Sequence, residues 1–275
     1  MRMEASASPR PADVAAGDRV LLLEPTTGRR WLVHLDGGGA RKEKGLGVFD
    51  PARLVALGYG ATADVNGKRL VVLRPRLPDL TATVRRKAQI IVPKDLSRIV
   101  FELGLGLGDR VLESGIGSGA ATLALATAVG PTGRVVVQEL RDDFAAWALD
   151  NLRLAGLADG VTVHAGDMTQ GLAEGVAEAA ATDGPFHALL LDQPEPWLAL
   201  GHAWPVLAPG ARVACYCPQV GQMEQTVRRL RELGAADVVA LELIERTWEV
   251  KERGARPSFE GLGHTGFLVF ATRLA

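Results

Sequence analysis

From residue 109 onward the chain alternates short apolar runs with helix-length segments, and this alternation limits the fold more than any other feature. RVLESG, RVVVQEL, VTVHAGD, FHALLLD and ARVACYCP read as strands; SGAATLALATAVG, DDFAAWALDNLRLAG and QMEQTVRRLRELG read as helices between or after them. Strands separated by helices predict a mostly parallel, doubly wound α/β sheet. Two further extended runs, ADVVALELIERTWEV and HTGFLVFATRL, close the chain with no helix-length segment between them, which predicts a hairpin and an antiparallel edge strand. The first 75 residues have another texture. GDRVLLLE, RRWLVHL, ATADV and KRLVVLRP are brief β-type runs broken by TTG, DGGG and VNG, the last a hairpin signal. DLSRIVFELGL reads as a helix leading into the α/β part. The expected organisation is a small β-rich N-terminal domain at 1–75, a basic connector and lead-in helix at 76–108, and the α/β domain at 109–275.

Composition excludes several classes. The 275 residues are 47% hydrophobic and 23% charged, which suits a folded globular chain. No run reaches the roughly 18 uncharged apolar residues of a membrane span, so no membrane association is expected. The opening MRMEASASPRPADVAAGDRV lacks the apolar core and cleavage site of a signal peptide and reads as a short frayed polar tail. Cys215 and Cys217 stand two apart on one strand face, with no third Cys in the sequence. A zinc site and a disulfide framework are therefore not expected, and a reducing cytoplasm is.

The net charge of −1 conceals an asymmetry. Residues 1–100 carry 18 Lys and Arg against 10 Asp and Glu, whereas residues 101–275 carry 13 against 22. Within 68–98, Lys68, Arg69, Arg74, Arg76, Arg85, Arg86, Lys87, Lys94 and Arg98 face only Asp79 and Asp95. Such a stretch can supply the sequence-independent phosphate attraction of a nucleic-acid binder, or it can be a solvated surface; charge alone leaves both open.

At the junction of the first α/β strand and helix lies Glu113-Ser-Gly115-Ile-Gly117-Ser118-Gly119. Glycines there let the backbone turn tightly and approach a ligand, with the helix amides facing it. Glu139 ends the second strand and can accept hydrogen bonds from both hydroxyls of a ribose. The two features predict a nucleoside cofactor of the adenosine type, NAD or S-adenosylmethionine (SAM). Glu113, two residues before the first glycine, opposes a pyrophosphate and suits a cation, which tips the expectation to SAM.

Asp167, after the third strand, is placed either for an adenine amino group or as a plain turn. Asp192, in Leu191-Asp192-Gln193-Pro194-Glu195-Pro196-Trp197, points into the cleft beyond the carboxyl ends of the strands or caps a helix. Tyr216 could stack on a base or merely pack. His264, in GHTGF, could touch phosphate or cap a strand.

GDRVLLL, QIIVPKD, VLESGIGSGAATLALATAVGPTGRV, LDQPEPW and RPSFEGLGHTGFLVFATR, in that order, resemble the tRNA adenine-N1-methyltransferase family, which modifies the T-loop adenosine at tRNA position fifty-eight. The resemblance spans nearly the whole chain, and D-x-x-x-P-W and G-H-T-x-F-L-V are its specific segments. It implies a Rossmann-like SAM-dependent methyltransferase core behind the small β-rich domain, a tRNA substrate and a homotetramer. It also implies that Gly115, Gly117, Ser118 and Gly119, with Ala120 and Ala121 beside them, cradle the methionine moiety, and that Glu139 holds the ribose. Asp167 would face the cofactor adenine, Gln89 would approach from the connector, and Asp192 would be the catalytic carboxylate. Arg85, Arg86 and Lys87 are the expected phosphate contacts, with Tyr216 and His264 as further substrate contacts. The chain departs from the family pattern at Ala40-Arg-Lys-Glu-Lys-Gly45, where members often carry F-H-T-H-R-G, at Val92, often Tyr, and at Ser114, often Ala.

The chemistry follows. Adenine N1 has an in-plane lone pair and needs no deprotonation, but its methylated product is cationic. A carboxylate accepting from the exocyclic amine both positions N1 and stabilises that charge, which is the role expected of Asp192. The adenosine must leave its stack at a cost of roughly a few kcal/mol. No metal is required, and the sequence offers no ligand cluster for one. Two rivals remain. A methyltransferase of small molecules or proteins leaves D-x-x-x-P-W and the basic stretch unexplained, and a SAM-dependent methyltransferase of another RNA stays open as an alternative. A catalytically silent tRNA-binding partner subunit would be expected to have lost the acidic cofactor residues kept here.

Overall fold

Two apolar cores divide the chain. The structure, a computed structural model, describes residues 13–55 and 57–275. One unit runs to Thr83 and takes in 154–156; the other comprises 84–153 and 157–275. The basic 76–108 segment is thus shared between the two.

The first unit carries β1 (Arg19–Leu23), β2 (Arg30–His34), β3 (Arg41–Glu43), β4 (Gly47–Phe49), β5 (Thr62–Val65), β6 (Lys68–Leu73) and helix α1 (Leu77–Thr83). Four strands make an antiparallel sheet in the order β2-β1-β6-β5, and β3 pairs with β4 alone. Alternate side chains, among them Val20, Leu22, Val33, Leu70 and Val72, face a core completed by Leu46, Phe49 and Leu54. The VNG signal is a two-residue hairpin: Val65 pairs with Lys68, and Asn66 and Gly67 take φ of 52° and 79°. Residues 1–12 of the expected tail lie outside the described residues. From Asp13 the chain is folded, contrary to the expectation for 13–18: Val14 is buried and its N–H reaches the Leu57 carbonyl at 2.9 Å. Strand β3 lies in the segment that departs from the family pattern; its three residues are all charged and carry no apolar alternation to read, and β4 is a three-residue Gly-Val-Phe run.

The second unit carries α2 (Pro93–Leu103), β7 (Arg110–Ser114), α3 (Ala120–Val129), β8 (Arg134–Glu139), α4 (Asp142–Ala155), β9 (Val161–Ala165), α5 (Glu174–Asp183), β10 (Phe186–Leu191), α6 (Pro196–Ala203), β11 (Leu207–Cys217), α7 (Val220–Glu232), β12 (Ala236–Glu242), β13 (Trp248–Lys251), β14 (Gly254–Pro257) and β15 (Phe267–Thr272). Its seven-stranded sheet runs β12-β15-β11-β10-β7-β8-β9. Strands β7 to β11 are parallel, and β7, β8 and β10 are buried on both faces, so they read as nearly continuous Val and Leu runs, whereas β9 lies at the edge and is only partly buried. The one reversed strand, β15, pairs antiparallel with both neighbours and lies one place in from the edge. Burial explains the placement. Leu268 to Ala271 are enclosed, whereas β12 is half exposed and carries Asp237 at φ 50°, so β12 takes the edge. Chain order reverses between β7 and β10, and ligands of such sheets bind at that switch point. Among the described residues, no helix is long and apolar enough to cross a membrane.

Candidate active site

At the switch point, the carboxyl ends of the strands open onto a cavity of about 500 Å³, within the roughly 300–1,000 Å³ range of small-molecule sites. Its geometry begins with Gly115, where φ is +87° and a Cβ would lie 2.0 Å from the Asp192 carbonyl oxygen. Only glycine allows the loops after β7 and β10 to touch in this way. The Asp192 N–H donates to the Ser114 carbonyl (2.9 Å), which fixes the base of its side chain at the cavity wall. Gly117, at φ +51°, lines the cavity and leaves it clear of any Cβ.

Three carboxylates converge here, none of them in an ion pair among the described residues; Arg141 also lines the cavity, but its guanidinium lies 3.6 Å over the Phe144 ring and 3.6 Å from Asp143. Glu139 spans the loop mouth: one oxygen accepts the Ile116 N–H (2.8 Å) and the other the Arg141 N–H (2.9 Å), and each keeps a lone pair for the cavity. Glu113 is fully buried, and neither of its oxygens has a hydrogen-bond partner. Burial pushes it up to about 8; Thr122, whose hydroxyl lies off hydrogen-bonding geometry, opposes the shift, and Asp192 and Glu139 add to it. Burial, then the Glu139 charge, push half-buried Asp192 up to about 7. Such a cluster is short of positive charge, and a sulfonium supplies it. The cradle therefore fits SAM, with an acidic residue for a ribose, a Cβ-free turn and a carboxylate-lined wall.

The extended segment 84–92 is latched at two points. Asn151 of α4 accepts from the Arg85 N–H (3.2 Å) and donates to the carbonyls of Arg85 and Ser118, both at 3.0 Å. The Ser118 hydroxyl accepts from the N–H groups of Lys87 (3.0 Å) and Ala88 (2.9 Å). Gln89 is thereby held in the cavity wall. Ser118 borders a narrow crevice beside the cavity, with its hydroxyl engaged by the latch. Ala120 and Ala121 border the same crevice beside Gln89 and Ile116, and Gly119 caps α3. Asp167 lines the cavity, with one oxygen taken by the Thr169 N–H (2.9 Å) and hydroxyl (2.7 Å).

Other expected residues lie elsewhere. Tyr216 is buried, donates to the Thr265 carbonyl at 2.5 Å, and is pushed up to about 12, mainly by burial. Its packing alternative is the one realised. His264 sits 2.9 Å from the Pro218 carbonyl and 2.6 Å from Glu242, contacts that raise its pKa and tie the GHTGF loop to the end of β12. Neither residue lines the cavity. Lys87 pairs with Asp143 at 2.6 Å and Arg85 lies 5.4 Å above the Trp147 ring, while exposed Arg86 has no partner among the described residues. Two features carried no sequence signal of their own: the Ser114–Gln193 contact in the cavity wall and a buried Lys94–Asp95–Thr265 group.

Comparison with known proteins gives concordant results. Residues 70–256 match the family described as tRNA methyltransferase complex GCD14 subunit. A tRNA (adenine(58)-N(1))-methyltransferase TrmI of Thermus thermophilus is 37% identical over 92% of this chain and 96% of that protein. Among solved structures, a SAM-dependent O-methyltransferase from Thermotoga maritima superposes with a TM-score of 0.78 at 32% identity, covering 96% of this chain and 95% of the other. The tRNA (m1A58) methyltransferase TrmI of Aquifex aeolicus gives 0.71 at 26% identity, covering 96% and 100%.

Proposed function

This chain belongs to the tRNA adenine-N1-methyltransferase family, and from that premise we propose that it methylates N1 of the T-loop adenosine at tRNA position fifty-eight, using SAM. The observation that carries the reading is the uncompensated carboxylate cluster at the switch point, beside a turn that only glycine permits. SAM supplies an electrophilic methyl group on a cationic sulfonium. Glu139 accepts from the ribose hydroxyls, Gly117 gives the methionine end room, Asp167 takes the cofactor adenine amine, and Gln89 closes the connector side. Asp192 accepts from the exocyclic amine of the target adenine, turning N1 toward the methyl group. Its negative charge would then oppose the positive charge that N1 acquires as its bond to the methyl carbon forms and the carbon–sulfur bond breaks, the sulfur leaving as a neutral thioether. This role requires the ionised carboxylate.

The basic stretch supports phosphate contact, with Arg86 the cation best placed to meet it. We extend the proposal to a cytoplasmic homotetramer, on the strength of the family and of two buried free thiols. Incubating the protein with labelled SAM and an unmodified tRNA transcript, followed by nucleoside analysis, should yield 1-methyladenosine from the T-loop. Folded, SAM-binding protein that leaves this nucleoside unlabelled would overturn the proposal. Label in 2′-O-methyl nucleosides would favour the chemistry in the Thermotoga protein's description.

A further inference from the structure

Ser114 and Gln193 meet where the loops after β7 and β10 touch. The Ser114 hydroxyl, on a residue only 3% exposed, donates to Gln193 Oε1. The main chain of Ser114 holds its neighbour Asp192, so one buried residue sets the place of two adjacent cavity-wall side chains. With Oε1 committed, the carboxamide of Gln193 cannot turn freely, and its Nε2 has no acceptor among the described residues. The result is a pair of N–H donors next to the Asp192 carboxylate, on a wall that also carries Glu139, Asp167, Glu195 and Arg141.

Adenine presents an N6 amine donor beside an N7 acceptor, the edge that a single Asn or Gln reads in duplex DNA by accepting from one and donating to the other. Here the two halves of that recognition fall on consecutive residues. Asp192 offers the acceptor and Gln193 the donor. N1 lies on the opposite side of N6 from N7, so this grip leaves the nucleophile uncovered. Resting on the methyltransferase reading above, we propose that Gln193 binds N7 of the target adenine and that Ser114 is the positioning residue that orients it. Guanine would set its O6 acceptor against Asp192, and a pyrimidine would offer nothing at the N7 position, so the two residues together select adenine.

The test replaces one ring atom. tRNA transcripts carrying adenosine or 7-deazaadenosine at the target position are methylated in single turnover at saturating SAM. The proteins are wild type, Gln193→Leu, Gln193→Glu and Ser114→Ala. Effects of the new ring atom on N1 itself cancel when proteins are compared. Wild type should lose about five- to tenfold on the 7-deaza substrate, the size of one hydrogen bond. Gln193→Leu and Gln193→Glu should lose a similar factor on adenosine and show no further loss on 7-deazaadenosine. Ser114→Ala should fall between. Equal wild-type rates on both substrates overturn the proposal, as does a full 7-deaza penalty in Gln193→Leu. So does an adenosine rate in Gln193→Glu equal to wild type, because a carboxylate cannot donate. If Gln193→Leu instead weakens SAM binding by calorimetry and keeps the penalty, the donor serves the cofactor and the N7 assignment is wrong. Wild type that makes no 1-methyladenosine from the unmodified transcript fails the functional reading itself, a result visible before any variant is compared.

Discussion

Two places in the second unit bury charge, and they do so in opposite ways. At the start of α2, the Lys94 ammonium donates to Asp95 (2.7 Å), to the Leu243 carbonyl (2.8 Å) and to the Thr265 hydroxyl (2.7 Å), so its three hydrogens are all placed. Thr265 in turn donates to the second Asp95 oxygen at 2.6 Å. At the switch point, Glu113, Glu139 and Asp192 gather with no ion pair among the described residues, and neither Glu113 oxygen has a hydrogen-bond partner there. Both arrangements are costly to bury, but only the first is internally complete. The complete group is a clasp that joins QIIVPKD to GHTGF across 170 positions of sequence. The incomplete one persists because a ligand brings the missing charge. Full pairing marks a structural joint, and a deficit of one sign marks a binding site.

The contrast can be broken from either side. The largest effect is expected at the clasp. Asp95→Ala strands a buried ammonium and should lower unfolding stability by about 3–5 kcal/mol in denaturant titration. A loss below about 1 kcal/mol would place the clasp among ordinary surface pairs. Asp192→Asn keeps the shape but removes the charge, and single-turnover methylation should fall by about 10²–10³ with the fold intact. Near-normal turnover would move the catalytic role to another residue of the cleft. Glu139→Ala removes two charge-assisted hydrogen bonds to the ribose and should weaken SAM binding by roughly 1.5–3 kcal/mol in calorimetry; an unchanged affinity would remove the ribose assignment.

A smaller effect separates Glu113 from any paired acid. Its carboxyl, pushed up from 4.5 to about 8, binds its proton more tightly in the folded chain than in the unfolded one. Stability from this group is therefore full at acid pH and is lost as pH rises through that window, the reverse of a salt-bridged carboxylate. Glu113→Gln should flatten the fall in melting temperature between pH 4.5 and about 8, the interval between the unfolded and folded values. An identical fall in both proteins would show that Glu113 folds ionised. The smallest effect is expected at the surface, where Arg86→Glu should reduce the salt dependence of tRNA binding by about one to two phosphate contacts and leave SAM affinity alone.

Legibility in the sequence followed the same division. Strands β7, β8 and β10 were readable because burial on both faces leaves nearly unbroken Val and Leu runs, and the glycine turn because so few residues can occupy it. Helix α5 was not, since only Val176 of its ten residues is buried and no apolar stripe forms. The β13–β14 hairpin disappeared into one long extended run because Trp248 and Val250 are apolar yet exposed. At the site, Glu139, Asp167, Gln89 and Asp192 fall on the cavity wall, residues whose position follows from strand ends and family motif. Ser118 could not be placed from sequence, since the amides that occupy its hydroxyl come from 30 or 31 positions away. Tyr216 drew attention as one of two tyrosines in the chain, but rarity says nothing of where a ring packs. Ser114 and Gln193 are informative only as a pair, and 79 positions separate them.

The contact beneath Gly115 has a consequence for anyone who would redesign the protein. A single methyl group there would claim the space of the Asp192 carbonyl oxygen, displacing the segment that carries the proposed target-base contacts. The loops after β7 and β10 thus share one void and cannot be varied independently. A loop grafted from another methyltransferase would have to arrive with its opposite number, as a single cassette.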